Sequence, residues 1–328
     1  MILVKHMRDW QTLIKYDPMA SLLSSGDEAV VFFVQRDLLG KTDGRPEDLW
    51  NLPAARKIVE KQLPDGSWKY PSSQKAYRLP DSYAQTETYR NLGILVEKFG
   101  YDRRSPAVAK AAEFLLGFQT AAGDIRGILG KQYVPYYNGG ILELLIKVGY
   151  ADDPRVDKVF GWFESTRQDD GGWAIPLRTH GKALGFIATD APALEPNRAQ
   201  PSSHLVTGMV LRAYAAHPRY CHSATAKQAG ELLLSRLFQA DRYADRRAAD
   251  FWFRFTFPFW FTDLISALDT LSLLGFSTDE PPMARALQWL AERQQPDGLW
   301  QLKTVRGGKG LDTDRWLSLV ICRILKRL

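Results

Sequence analysis

Along this 328-residue chain the apolar positions recur at helical spacing, in blocks that come in pairs. The first member of each pair is predicted near 6–17, 51–62, 105–119, 153–166, 223–239 and 281–294. The second members follow near 26–39, 84–99, 137–149, 203–216, 261–275 and 313–327. The pattern therefore predicts an all-α chain of six helical hairpins. Length alone would suggest two domains, but the paired rhythm spans the chain from 1 to 328 and predicts one.

A repeated phrase sits between the hairpins. Gln62-Leu-Pro-Asp-Gly66-Ser-Trp68, Gln168-Asp-Asp-Gly171-Gly-Trp173 and Gln294-Gln-Pro-Asp-Gly298-Leu-Trp300 each follow one helix and precede another. The third copy extends upstream through Arg285, Ala286, Trp289 and Leu290. Imposing its spacing reveals a fourth: Lys110, Ala111, Phe114, Leu115, Gln119 and Gly123, with Ile125 at the Trp position. The second copy fits best with Arg167 in the Gln slot. A Gln amide can satisfy orphan carbonyls at a helix C-terminus, Gly supplies the positive φ that leaves the helix, and Trp packs over the junction. The phrase is a structural joint. A helical pair of this size cannot bury its apolar face alone, so the units must stack on one another.

In these joints the chain resembles the squalene cyclase and prenyltransferase repeat superfamily over most of its length. The resemblance implies an α6/α6 toroid, an α/α barrel in which the first helix of each hairpin is outer and the second inner. In such toroids the inner-helix N-termini meet at one mouth of a central cavity, where their dipoles favour anions and ionised carboxylates. The positions singled out by that argument are Tyr83, Thr86 and Glu87; Tyr136, Tyr137 and Asn138; Ser203 and His204; Trp260 and Asp263; and Asp312 and Asp314.

Composition agrees with one core: 45% of residues are hydrophobic and 24% charged, enough to fill an interior without disulfides or metals. The two cysteines form no framework and suit a reducing compartment. The N-terminus turns polar within five residues and no apolar run approaches bilayer length, so a cytoplasmic protein is expected. The formal charge of +6 is concentrated near Arg242, Arg246 and Arg247 and near Lys303, Arg306 and Lys309. A solvated face explains such clusters; contact with a membrane surface or a diphosphate group is left open. Nucleic acid is disfavoured for want of a binding module.

Two segments break the rhythm. The connection from Ala174 to Ser202, with Pro176, Pro192, Pro196 and Pro201, has the length of a lid or binding loop. The second reads Phe251-Trp-Phe-Arg-Phe-Thr-Phe-Pro-Phe-Trp-Phe261 and leads into the fifth inner helix. Trp252, Phe255, Phe257, Phe259 and Trp260, with Arg254 among them, can line an apolar ligand site whose π faces steady a carbocation. The same residues can instead plug one end of the barrel.

The resemblance also implies chemistry. Its terpene cyclases protonate an alkene with the middle Asp of an Asp-x-Asp-Asp sequence at an inner-helix start. Asp312-Thr-Asp314-Arg315 matches only in part, and the adjacent Arg315 is expected to keep Asp314 ionised. Asp263, directly behind the aromatic run, is the other candidate acid; helix capping is the plainer role for all three. The family's prenyltransferases hold zinc with Asp-x-Cys and His, but Ile265 stands at the Cys position, and neither a metal nor another cofactor is expected. His217, Cys221 and His222 lack a fourth ligand nearby. A carbohydrate-cleaving (α/α) ring ranks third. The sequence thus predicts a terpene cyclase-like protein binding an isoprenoid or similar lipid, with catalytic candidates Asp263, Asp314 and Asp312. Its substrate-contact candidates are Tyr83, Glu87, Tyr137, Asn138, His204 and the aromatic run. The alternative is a non-catalytic scaffold for a lipid or protein.

Overall fold

The computed structural model describes residues 10–70, 80–182, 191–243, 248–305 and 311–328, and among them there is no strand. The outer helices are α1 (Met19–Leu23), α3 (Pro53–Val59), α5 (Pro106–Leu116), α7 (Pro154–Ser165), α10 (Ala224–Ser235) and α12 (Pro281–Ala291). The inner ones are α2 (Glu28–Phe33), α4 (Pro80–Phe99), α6 (Pro135–Leu145), α9 (His204–Ala216), α11 (Leu264–Leu273) and α13 (Leu311–Arg327). A single turn, α8 (Pro176–Thr179), interrupts the long connection. Two inner helices, α2 and α6, continue through wider π turns at Val34–Leu38 and Ile146–Tyr150.

Local chemistry explains where these helices begin. Proline opens α3, α5, α7 and α12, where its missing N–H costs nothing and its fixed φ is already helical. Asp27, Ser203 and Asp263 cap α2, α9 and α11 with side-chain oxygens. The first outer helix differs from its predicted span of 6–17. Trp10–Leu13 forms only a 3-10 turn, and α1 starts after Pro18, which cannot continue a helix and restricts the residue before it. Residues 6–9 lie outside the described residues.

The inner helices pack in order, α2 on α4, α4 on α6, α6 on α9, α9 on α11, α11 on α13, and α13 back on α2, which closes the ring. The outer helices pack on the backs of the inner ones. The tightest pair is α6 with α9: a Cβ on Gly139 would lie 2.4 Å from the Met209 carbonyl oxygen, so no other residue permits this approach.

The repeated phrase builds the joints, with a reach the sequence did not reveal. Gln62 Nε2 donates to Gly66 O within its own turn at 2.9 Å and to Ala107 O in the next outer helix at 2.8 Å. Gln119 repeats the pattern with Gly123 O and Arg155 O. Gln294 closes the circle, donating to Gly298 O and Tyr16 O while its Oε1 accepts from Lys15 N and Tyr16 N. Arg167 takes the slot in the remaining copy, its Nε 2.7 Å from Gly171 O. The indoles of Trp68, Trp173 and Trp300 each donate to a carbonyl ten residues upstream, at Ile58, Phe163 and Leu290. The backbone N–H at the Trp position then reaches the inner helix, at Thr88, Asn138, Thr207 or Ser318. Each joint therefore fixes outer helix, next outer helix and inner helix together.

Candidate functional site

The aromatic run ends at the start of α11, and Asp263 is its first carboxylate. Asp263 Oδ1 accepts from Ser266 N at 2.8 Å, and Ser266 Oγ accepts from Asp263 N at 2.8 Å, a reciprocal cap. The residue is completely buried, and its Oδ2 has no hydrogen-bond partner among the described residues. Burial pushes the carboxyl up to about 7, against the opposing pull of Ser266, the Arg212 charge and the Thr256 backbone. A side chain in this state carries a proton near neutrality, and one of its oxygens is not committed to holding the helix.

An aromatic cluster lies beside it, reached through Tyr136 and Trp260. Tyr136, close enough to feel the Asp263 charge, donates its hydroxyl to Trp260 O. The Tyr89 ring stands edge-on to Trp260 at 5.3 Å and to Tyr137 at 6.1 Å, and Tyr136 meets Tyr137 at 5.1 Å. Tyr136, Tyr137 and Trp260 are half-buried. Gly93 is what lets Trp260 lie across α4, since a Cβ there would be 2.7 Å from the indole Cη2.

Trp252, Phe255, Phe257 and Phe259 are packed away, whereas Phe251, Phe253 and Phe261 are half-buried like Trp260. Trp252 is fully buried, stacked on His204 at 4.6 Å, with its indole N–H on Gln239 O. Phe255 pairs through its backbone with Lys303 and Val305 and packs beside Trp289. Phe257 stacks on Trp316 at 5.2 Å, while Phe259 lies under the Arg212 guanidinium at 4.7 Å. Arg254 is half-buried between them in sequence. Within the run Trp252, Phe255, Phe257 and Phe259 therefore act as filler, while Trp260 stays half-buried.

The other sequence candidates separate. Tyr83 packs beside Tyr70, and Glu87 pairs with Arg90 and Asn91. Asn138 is buried and fully used, bonded to both backbone groups of Ile125 and to Val134 O. Burial drives His204 down to about 4, with its Nδ1 3.4 Å from Asp241. Asp312 is exposed, and Asp314 lies at the Leu302 backbone near Asp297, away from Asp263. Burial raises the Asp314 carboxyl, the opposite of what its neighbour Arg315 led the sequence to predict. The described part of the long connection is tied down, by Gln132 to Ala191, Pro192 and Leu194 and by Gln168 to Asn197 and Gln200. Of the basic clusters, Arg246, Arg247, Arg306 and Lys309 lie outside the described residues.

Sequence reasoning passed over Tyr89 and a buried ion pair. Arg212 Nε and Nη2 bind the Glu143 carboxylate at 2.7 and 2.6 Å, both residues being 6% exposed or less. A lone Arg in α9 and a lone Glu in α6, each inside an apolar stretch, were the available signal. Among the described residues no three His, Cys, Asp or Glu side chains converge to hold a metal ion, and no helix is long and apolar enough to cross a membrane.

No family model matches the chain, and no curated protein does. Among solved structures it is similar to a substrate complex of the type II terpene cyclase MstE from Scytonema, at 16% identity and TM-score 0.46. That match covers 91% of this chain and 86% of the other. It is also similar to a polysaccharide lyase, at 13% identity and TM-score 0.41 over 93% of this chain and 97% of that one. A protein from Actinoplanes matches at 13% identity and TM-score 0.31, over 86% and 99%. At these scores none of the likenesses bears on activity.

Proposed function

We propose that this protein is an acid-initiated isoprenoid cyclase or isomerase, with Asp263 as the acid. One observation carries the reading: a fully buried carboxyl, pushed up to about 7, whose Oδ2 is unpartnered while Oδ1 holds the helix cap. In the proposed step the Oδ2–H bond breaks, and the π pair of a substrate alkene forms the new C–H bond. The carbocation left behind is steadied by the π faces of Tyr89, Tyr137 and Trp260. Loss of a proton from a neighbouring carbon to the carboxylate balances the reaction and restores the acid. Preorganised rings and an enclosed acid meet the requirement that such a site protonate without admitting water.

The test is gas-chromatographic product analysis after incubation with farnesyl, geranylgeranyl and squalene substrates. Asp263→Asn retains the oxygen that accepts from Ser266, so its fold should persist. It should lose turnover while retaining lipid binding. Unchanged product formation by the variant would overturn the role of Asp263. A second reading, a non-catalytic scaffold that binds a lipid or protein, is favoured by the capping role of the same carboxylate. It expects a copurifying ligand and no product from any substrate.

A further inference from the structure

At the opposite end of the barrel the C-terminal ends of α2, α4 and α13 surround a cleft of about 720 Å³. Its charges do not balance locally. Arg36 Nε donates to Asp37 Oδ1 at 2.6 Å, and Arg323 donates to Asp37 Oδ2 through Nε at 2.7 Å. Lys326 Nζ meets no carboxylate in this group; it donates to the Asp37 and Leu38 carbonyls. Two guanidiniums therefore share one carboxylate, with a third cation beside them on backbone carbonyls. The neighbouring charges are engaged elsewhere: Lys147 with Glu97 and Glu143, Arg327 with Asp269, and Asp102 with Arg104.

The two guanidiniums are held in place by stacking. Arg36 lies 4.6 Å and Arg323 5.1 Å from the centre of the Phe33 ring. Two like charges kept this close, with a single carboxylate between them, form a preorganised site for a second anion. The helix ends would normally repel an anion, but Lys326 already occupies the carbonyls at the end of α2. Beside the Phe33 ring that carries both guanidiniums, Val96, Pro46 and Tyr101 give the cleft an apolar lining. The space far exceeds a single phosphate ion.

We infer that this cleft binds a phosphate monoester, its dianion on Arg36, Arg323 and Lys326 and its organic part against the apolar lining. The inference stands independently of the Asp263 reading, because none of these residues belongs to that site. Calorimetry on the full chain, with inorganic phosphate and phenyl phosphate as probes at constant ionic strength, tests it. Saturable 1:1 binding of phenyl phosphate is expected, weaker by tenfold or more in Arg36→Gln and in Lys326→Met. The Arg36 side chain is 43% exposed, and Asp37 keeps Arg323 as a counter-ion without it, so Arg36→Gln should keep the parent melting temperature, which separates lost binding from lost fold. Tighter binding of phenyl phosphate than of inorganic phosphate establishes the ester; equal binding of the two overturns the role of the apolar lining. No saturable binding, or unchanged affinity in Arg36→Gln, overturns the site.

Discussion

The two ends of the barrel handle buried charge in opposite ways. At the C-terminal end, and for two turns below it, the deepest charges are met by a counter-ion: Arg212 by Glu143, Lys147 by Glu97, Arg327 by Asp269. At the N-terminal end Asp263 is buried with rings and one helix cap, and no counter-ion touches it. Pairing keeps carboxylates ionised: burial pushes Glu143 and Asp269 up, but the cations beside them outweigh it and hold both below the usual range. Without a counter-ion in contact, the same burial pushes the Asp263 carboxyl up to about 7. The difference shows that depth alone does not set protonation; the neighbours do.

The most severe way to break this contrast is to unpair a charge. Glu143→Leu strands the Arg212 guanidinium inside the barrel and should cost about 3–5 kcal/mol in denaturant unfolding. Glu143→Leu with Arg212→Leu should recover a large part of that loss. A double variant no better than the single one would mean the pair is not an isolated unit.

A smaller effect sharpens the contrast through pH. The folded carboxyl of Asp263 lies above its unfolded value, so its contribution is fully present below about pH 4 and is lost as pH rises towards about 7. His204 is shifted the other way: its folded value of about 4 lies below the unfolded one. Its neutral form stabilises above about pH 6.5, and that contribution is lost as pH falls towards 4. The two slopes oppose each other across one window. Unfolding of Asp263→Asn measured from pH 4 to 7 should therefore show stability rising more steeply with pH than in the parent. An identical slope would mean Asp263 titrates as an ordinary carboxylate.

The mildest change probes the ring between the two ends. Gly93→Ala pushes a methyl into the Trp260 indole and should cost about 1–3 kcal/mol, with a shift in tryptophan fluorescence. If Trp260 instead moves aside freely, neither quantity will change.

The hairpins, their order and the joints were legible in the sequence because they rest on local rules: helical spacing, proline and aspartate at helix starts, glycine at the exit turns. The joint residues announced themselves by repetition, and Arg167 could be placed in the Gln slot by register alone. The site was only half legible. Asp263 was visible as the carboxylate behind an aromatic run, but so were Asp312 and Asp314, and spacing along one helix start cannot distinguish a buried face from a solvent face. Arg212 and Glu143 were missed because each lies in the middle of an apolar helix, and Tyr89 because it lies in a polar stretch of α4; all three are far in sequence from what they touch.

What the sequence determined by itself was the periodic part: an all-helical chain, paired and stacked. What only the tertiary structure decided was the surroundings of each charge, since a carboxyl's protonation depends on neighbours brought in from helices 50 to 120 residues away. Closure of the ring belongs to the same class, for Gln294 meets Tyr16 across 278 residues. Local preferences set the elements, but desolvation and charge pairing act through space, and only the folded ring fixes those distances.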